Sequence, residues 1–478
     1  VLLLTNTPGN VGQNNLDFLE ELGCFVNRVG FAGGYVAITL AAEDQIRAAA
    51  TSDQACNLEL TPESATNIVG ETHTVTAEVT TNAGAPVETG TVRFEVYDEF
   101  QISETQTARS LFLVETVTVG ADGTATFSYQ EIFPGPDFIV ACVVPEGESC
   151  TTGDPMTGEN VEPRRDLPAI DTARKNWEAD LISALFGTAV VPGPGDPDGF
   201  GFGSATVTGD GRFCYGIGVI GIQQPPTGAS LNAAPFGETG TAVIDLEPPD
   251  QLVTFTDPGL GDITAGLAAD CIEGLDEALL AAIEANPSDY YFSVTTDEFP
   301  EGAVRGQLFP AELEQQVFEP TLFATLTGAA EVPGPGDLDG GGVSGISVSD
   351  DGQYLCFLIG VEGIELPATG AHIHEAPEGQ AGDIVVNLVA PQAIFFAPPG
   401  AGGSFGCVDE DALAPAADPD EFQQILANPE NYYVNVHTTE FPAGAIRGQL
   451  STEPPPEGEF FAARPQGPDL PRKFRQGS

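Results

Sequence analysis

Three histidines stand where they could hold a metal ion. His372 and His374 lie two apart in Ala-His-Ile-His, and His437 closes Val-Asn-Val-His. On an extended strand, residues two apart face the same side. His372 and His374 therefore point together, and His437, on the face of Asn435, can join them from a distant strand. Three imidazoles gathered this way form a nitrogen donor set suited to copper or zinc. No fourth histidine accompanies them, so neither a bridging ligand nor a second metal site is expected. The competing expectation is a hydrogen-bonded histidine cluster satisfied by Glu375 or by backbone groups.

A second chemistry is suggested by carboxylate pairs. Asp196-Pro-Asp198-Gly and Asp337-Leu-Asp339-Gly each place two acids two apart on a glycine-rich loop. Calcium takes several oxygens in flexible geometry, so Asp196, Asp198, Asp337 and Asp339 are candidate calcium ligands. A plain turn, which also favours Asp and Gly, is the other expectation. Asp210-Gly211 and Asp350-Asp351-Gly352 read as hairpin turns. The chain contains no His-Glu-x-x-His and no phosphate-binding Gly-x-x-x-x-Gly-Lys motif, so neither a zinc-protease nor a phosphate-loop enzyme class is indicated. Arg305 and Arg447, each in Arg-Gly-Gln-Leu, are expected as structural ion-pair partners. The tyrosine pairs 290–291 and 432–433 are expected in the core and its rim.

The elements that must position these residues are written twice. Residues 286–308 read NPSDYYFSVTTDEFPEGAVRGQL, and residues 428–450 read NPENYYVNVHTTEFPAGAIRGQL. Upstream, VPGPGDPDG (191–199) recurs as VPGPGDLDG (332–340). A tandem repeat of this length sets the architecture and serves as an internal control. Where the second copy has Thr-Gly-Ala-His-Ile-His and Asn-Val-His, the first has Thr-Gly-Ala-Ser-Leu-Asn (227–232) and Ser-Val-Thr. All three histidines are lost together while the surrounding motif persists, as a shared site requires.

Composition narrows the partners. Among 478 residues, 71 are acidic and 15 basic, giving a formal net charge of −56. That field argues against nucleic acid and anionic lipid and suits surroundings rich in divalent cations or salt. Eight cysteines permit a disulfide framework. One pair per repeat, Cys214 with Cys271 and Cys356 with Cys407, would staple each copy, and Cys24 with Cys56 and Cys142 with Cys150 would complete the set. Paired cysteines imply an oxidising compartment. No apolar run is long enough to span a membrane as a helix, and the start at Val1 suggests a mature form from which a signal peptide has been removed.

Along the chain, residues 1–56 form a small segment with a short apolar run, VLLL, two helical stretches and a strand, too little for its own core. In the domain expected over 57–180, residues 57–145 alternate as short strands divided by turns, the pattern of a β-sandwich, and a Pro/Gly/Glu-rich loop (145–168) precedes a closing strand. The stretch ATNIVGETHTVTAEVTTNAGAPVETGTVRFEV, then DGTATFSYQ, PGPDFIVAC and DTARKNW, resembles bacterial immunoglobulin-like domains of invasin and intimin type, which implies a spacer or adhesion module without catalysis. The repeats occupy 181–312 and 320–452, each with a short helix stopped at Asn-Pro. Their residues EVPG (331–334), GAHIHEAPEGQAGDIVVNL (370–388) and YVNVHTTEFPAGAIRGQL (433–450) resemble the CHRD domain, named for chordin. That resemblance implies an extracellular antiparallel β-sandwich or barrel with no established enzymatic activity. The histidine pattern is also similar to the copper-binding half of Cu/Zn superoxide dismutases, themselves β-sandwiches, although the dismutase activity does not carry over. Residues 453–478 form a proline-rich tail with Arg464, Arg472, Lys473 and Arg475, either disordered or a basic arm for an acidic neighbour.

The sequence thus predicts an all-β chain of tandem antiparallel sandwiches, immunoglobulin-like then two CHRD-like, with short helices and a small N-terminal α/β segment. It reads as a secreted, non-enzymatic structural or adhesive protein of the cell surface. The expected partner is itself, as subunits of a filament, tube or sheath joined through an N-terminal strand, with other surface components also possible. The alternative is an extracellular copper- or zinc-binding or redox protein centred on His372, His374 and His437.

Overall fold

The computed structural model describes residues 55–455, apart from 82, 104–105, 132–133, 145–147, 153–160, 165–166, 168, 258–260 and 395–399. The apolar run at the N-terminus, Cys24 and the basic tail lie outside the described residues. The chain divides into two compact units, one of Val1–Asn67, Thr72–Tyr129 and Gly135–Asn176, the other of Ile68–Glu71, Gln130–Pro134 and Trp177–Ser478.

The first unit is built from alternating strands. His73–Thr81 buries every second residue, the period-two signature of a strand with one wet face. It is the middle of a three-stranded sheet between Ala55–Thr61 and Thr124–Tyr129. A five-stranded sheet runs Ser64–Ile68, Ile170–Glu178, Gly135–Cys142, Thr91–Ser103, Gln106–Thr118. The sheets meet through side chains such as Phe94 and Phe127, whose rings stack 5.3 Å apart.

The strand Ala55–Thr61 crosses the boundary expected between residues 56 and 57, so the backbone of Cys56 belongs to the first sheet and not to the N-terminal segment. The reason is strand pairing: Ala55 lies opposite Thr81 and Asn57 opposite Thr80, with a register shift between them at Cys56. The expected disulfide from Cys56 to Cys24 is not among the described bonds, because Cys24 lies outside the described residues. Among the described residues, the disulfides join Cys142 to Cys150, Cys214 to Cys271 and Cys356 to Cys407.

In the second unit the two repeats have the same sheet order. The first runs Thr241–Leu246, Gly228–Ala233, Tyr290–Thr295, Val304–Gln307, Leu181–Phe186, Phe200–Val207, Phe213–Ile220, Gly261–Ile272, Gln251–Asp257. The second runs Asp383–Leu388, Gly370–Glu375, Tyr432–His437, Ile446–Gln449, Leu322–Thr327, Gly341–Val348, Leu355–Glu362, Ala401–Val408, Gln392–Ala393. In each, the disulfide bridges cross-strand partners. The hairpin glycines Gly211 and Gly352 have φ of 85° and 76°, a left-handed conformation that a side chain would resist.

The repeats are not separate beads. Leu355–Glu362 is buried along nearly all its length because its two faces feed two cores. Leu355, Phe357, Ile359 and Val361 enter the core of the second repeat. Cys356 and Leu358 enter a cluster shared with Ile182, Phe186, Phe200 and Phe309 of the first. A continuous apolar strand is the expected signature of burial on both faces. Phe405 lies at the seam, with ring centroids of Phe186, Phe318, Phe202 and Phe200 at 5.5, 5.5, 5.8 and 6.1 Å. The connecting helix Glu314–Phe318 contributes Val317 to the same cluster. Polar groups lock the seam: the Thr188 amide donates to Gln392 Oε1 at 3.0 Å, and Gln392 Nε2 donates to the Gly199 carbonyl at 2.6 Å.

Two outcomes follow from this seam. Phe405→Ala should cost about 3–5 kcal/mol, as for other buried Phe truncations, measured by denaturant unfolding of the full chain; a loss below about 1 kcal/mol would show that the seam is loosely packed. Glu314 sits in an apolar gap with Phe202, Phe309, Phe318 and Phe405, and burial pushes its carboxyl up to about 9. The folded chain then holds a proton that the unfolded chain releases above its ordinary value of 4.5, so stability falls as pH rises from about 4.5 to about 9. Glu314→Gln should raise the melting midpoint at pH 8 by at least about 2–4 °C, the equivalent of about 1 kcal/mol, and leave it unchanged at pH 4; equal midpoints at pH 8 would contradict the burial of this carboxyl.

Candidate metal centre

The histidine strand Gly370–Glu375 runs between Asp383–Leu388 and Tyr432–His437. Ala371 and Ile373 are fully buried in the core of the second repeat, so His372 and His374 occupy the opposite face, as strand geometry requires. Register places His372 opposite Asn435, His374 opposite Tyr433, and Gly370 opposite His437. A register shift between Ile373 and His374, against the neighbouring strand, is the kind of irregularity that re-aims a side chain. The result is three imidazoles, each offering one nitrogen, with those atoms all within 4.8 Å of one another. Ring centroids lie 4.9 Å apart for His372 and His437, 5.7 Å for His372 and His374, and 6.0 Å for His374 and His437.

Backbone carbonyls fix two of the rings. His374 Nδ1 lies 3.1 Å from the Gly382 carbonyl, and His437 Nδ1 lies 3.3 Å from the Pro442 carbonyl. A carbonyl only accepts, so each Nδ1 carries the hydrogen and each Nε2 presents a lone pair. His374 Nε2, His437 Nε2 and His372 Nδ1 are buried without a hydrogen-bond partner among the described residues. Metal-ligating histidines show this division, with one nitrogen tied to the protein and the other left for the metal. Backbone groups therefore satisfy only half of each bonded ring, and the hydrogen-bonded cluster of the competing expectation is incomplete.

Electrostatics keeps the rings in the ligand form. Burial lowers His372 to about 3, reinforced by His437 and His374, and lowers His374 to about 4 against the pull of the Gly382 carbonyl. Burial lowers His437 as well. Small residues make the room. A Cβ on Gly370 would come 3.0 Å from His372 Cε1 and 3.8 Å from His437 Cδ2. The Gly382 amide donates to the Tyr433 hydroxyl at 3.2 Å, and the Tyr433 ring lies parallel to His374 at 4.8 Å.

Sequence reasoning missed a neighbouring buried group. Glu331 approaches Asn435, with Asn435 Nδ2 3.5 Å from its Oε2, and burial lifts its carboxyl to about 7 against the opposing pull of Arg447. In the tandem alignment Glu331 and Asn435 face Val190 and Ser293 of the first repeat. That joint difference was the available signal. The arginines correct a further expectation, since among the described residues neither closes an ion pair with a carboxylate. Arg305 donates to the carbonyls of Glu238 at 2.6 Å and Pro235 at 3.2 Å, and lies 3.6 Å over the Tyr291 ring. Arg447 lies 3.4 Å over Tyr433, a cation–π contact. All four paired tyrosines are buried.

The first repeat keeps the register without the donors. Ser230 pairs with Ser293, Asn232 with Tyr291, and Gly228 with Thr295. Asn232 Nδ2 donates to Ser230 Oγ at 2.8 Å, so these polar side chains partner one another. The aspartate pairs sit on loops pinned by their own amides: Asp196 N to the Ala303 carbonyl and Asp337 N to the Ala445 carbonyl, both 2.8 Å. Burial, then a hydrogen bond with Asp198, raises Asp196 to about 6; Asp337 is raised for the same reasons, with Asp339 as partner. Among the described residues, the three histidines are the group of three or more potential side-chain ligands brought within mutual reach. The aspartate pairs gather no third side chain in that way.

The CHRD domain model matches residues 181–308 and 322–450. The chain belongs to the CHRD family. A search of the curated proteins finds no match. No matched residue falls in the first unit, so the immunoglobulin-like resemblance draws no support from the family comparison. Both CHRD repeats carry the fold, and the second alone carries the three histidines.

Because the folded-state values lie below the ordinary 6.5 of imidazole, the unfolded chain takes up protons first, and stability is lost as pH falls below about 6.5. Long-range ¹⁵N–¹H spectra should show His374 and His437 protonated on Nδ1 at pH 7, with the rings of His372 and His374 still neutral at pH 5. Imidazolium signals from His372 or His374 at pH 6 would contradict the burial described.

Proposed function

We propose that this CHRD protein is a secreted, non-catalytic metal-binding protein whose second repeat holds one copper or zinc ion through His372, His374 and His437. The observation that carries the reading is a trio of imidazoles whose ligand nitrogens, one from each ring, lie within 4.8 Å of each other, each ring also keeping a buried nitrogen without a hydrogen-bond partner among the described residues. Its tautomers are tied from behind by carbonyls. Metal binding would satisfy all three nitrogens at once, and an empty set would leave them unmet at a cost of about 1–3 kcal/mol for each unsatisfied group. CHRD domains are non-catalytic modules found typically in extracellular proteins, and cross-strand disulfides suit that setting. Among the described residues, no helix is long and apolar enough to cross a membrane.

The histidine-poor repeat and the first unit then act as scaffold and spacer, the latter with the immunoglobulin-like character suggested by its sequence. Assembly into a filament, tube or sheath would draw on residues 1–15, which lie outside the described residues, and no feature of the fold favours it over metal binding. A calcium role for Asp196, Asp198, Asp337 and Asp339 is supported by two carboxylates per loop, and would need backbone oxygens and water to complete the coordination.

Isothermal titration of the full chain with Cu(II) and with Zn(II) tests the reading. One equivalent should bind, and His372→Ala should weaken it by at least about 100-fold, since even loss of a supporting partner costs about 10–100-fold. Equal affinities for the two proteins would refute it.

A further inference from the structure

A cavity of about 210 Å³ lies at the seam between the repeats, inside the second unit. One wall comes from the second repeat, where His372, its cross-strand neighbour Asn387 and Gly370 face the space. The other comes from the first repeat, with Thr188, Ala189 and Arg305 among its residues. The chain has 71 acidic residues, yet none lines this cavity, and Arg305 is the fixed charge in its wall. The volume is below the roughly 300–1,000 Å³ of sites for drug-sized ligands. The space therefore fits an occupant of a few atoms. Gly370 lacks the Cβ that would come 3.0 Å from the His372 ring, and both residues line the cavity.

We propose that this seam cavity is a small-anion site whose occupant coordinates the metal held by His372, His374 and His437. The inference rests on the metal reading above and extends it. Three protein ligands leave a fourth position on copper or zinc, as in metal sites that bind exogenous ligands. A bound cation beside His372 and the positive charge of Arg305, held in place by the Glu238 and Pro235 carbonyls, give a positive enclosure in a strongly negative protein. Anions are attracted there and excluded elsewhere. The histidine-free repeat thereby contributes to the site of its partner repeat, which neither copy could build alone.

The test uses the full chain loaded with one equivalent of Cu(II), with azide as the probe. Azide should change the copper EPR spectrum of the natural sequence and produce an azide-to-copper charge-transfer band. Ala189→Trp fills the cavity from the first repeat and touches none of the histidines. It should leave copper affinity unchanged and weaken azide at least about tenfold, a difference of about 1.4 kcal/mol. Val389→Trp fills the space from the second repeat and serves if the first variant does not fold, as judged by circular dichroism. Copper retained with no azide response, or with an equal response in the natural and filled proteins, would overturn the anion site and leave the metal reading standing. Failure to bind copper at all would overturn the metal reading and this inference with it.

Discussion

The cross-strand register between Gly370–Glu375 and Tyr432–His437 is the constraint on which the second repeat depends. It pairs Ala371 with Val436 and Ile373 with Val434, and these four side chains enter one core. The same pairing brings His372, His374 and His437 to the other face. A slip of one residue would send the histidines into the core and the aliphatic side chains out of it. Burial of the aliphatic face therefore fixes the geometry of the polar face. The imidazoles gain their positions from the hydrophobic effect acting on their neighbours, at roughly 1.5–3 kcal/mol for each buried Val or Ile.

Burial of the polar face has an opposite cost. Neutral imidazoles, a buried Glu331 and a buried Arg447 lie together on it. Polar groups withdrawn from water without partners destabilise a fold. The first repeat shows the alternative, with serine, asparagine and threonine at the histidine positions and Val190 at the place of Glu331. There Arg305 donates to two carbonyls, while in the second repeat Arg447 has both terminal nitrogens without a hydrogen-bond partner among the described residues. The fold tolerates either solution. Retention of the costlier one in a single copy is what makes that copy the functional candidate.

The seam explains why two copies occur as one unit. The strand Leu355–Glu362 shares its residues between its own core and the joint cluster. Phe405 fills the space between aromatic rings contributed by the first repeat and the connecting helix. The shared surface also encloses the cavity beside His372. Tandem duplication here gives an asymmetric pair, one copy carrying donors and the other supplying a wall.

Much of this was legible in the residues. Period-two alternation marked the strands of the first unit, the doubled motif marked the repeats, and Asn-Pro marked the ends of both longer helices. The spacing of His372 and His374 predicted their common face, because side-chain direction on a strand is a local property. Other features depend on contacts that no spacing encodes. The partner strand His73–Thr81 drew Cys56 into the first sheet. The partner strand and its register brought His437 to the histidine pair; the Gly382 and Pro442 carbonyls chose the tautomers; Glu331 arrived from a loop far upstream. The arginines were expected in ion pairs, yet Arg305 donates to two carbonyls and Arg447 lies over a tyrosine face with Glu331 acting on it only through its charge, because the fold buries both guanidinium groups. Sequence by itself determined the strands, their faces and the donor types, all set by local periodicity and side-chain chemistry. Only tertiary structure decided which donors share a volume, which nitrogens stay bare and how two repeats share a core, because desolvation and packing arise only once distant segments meet.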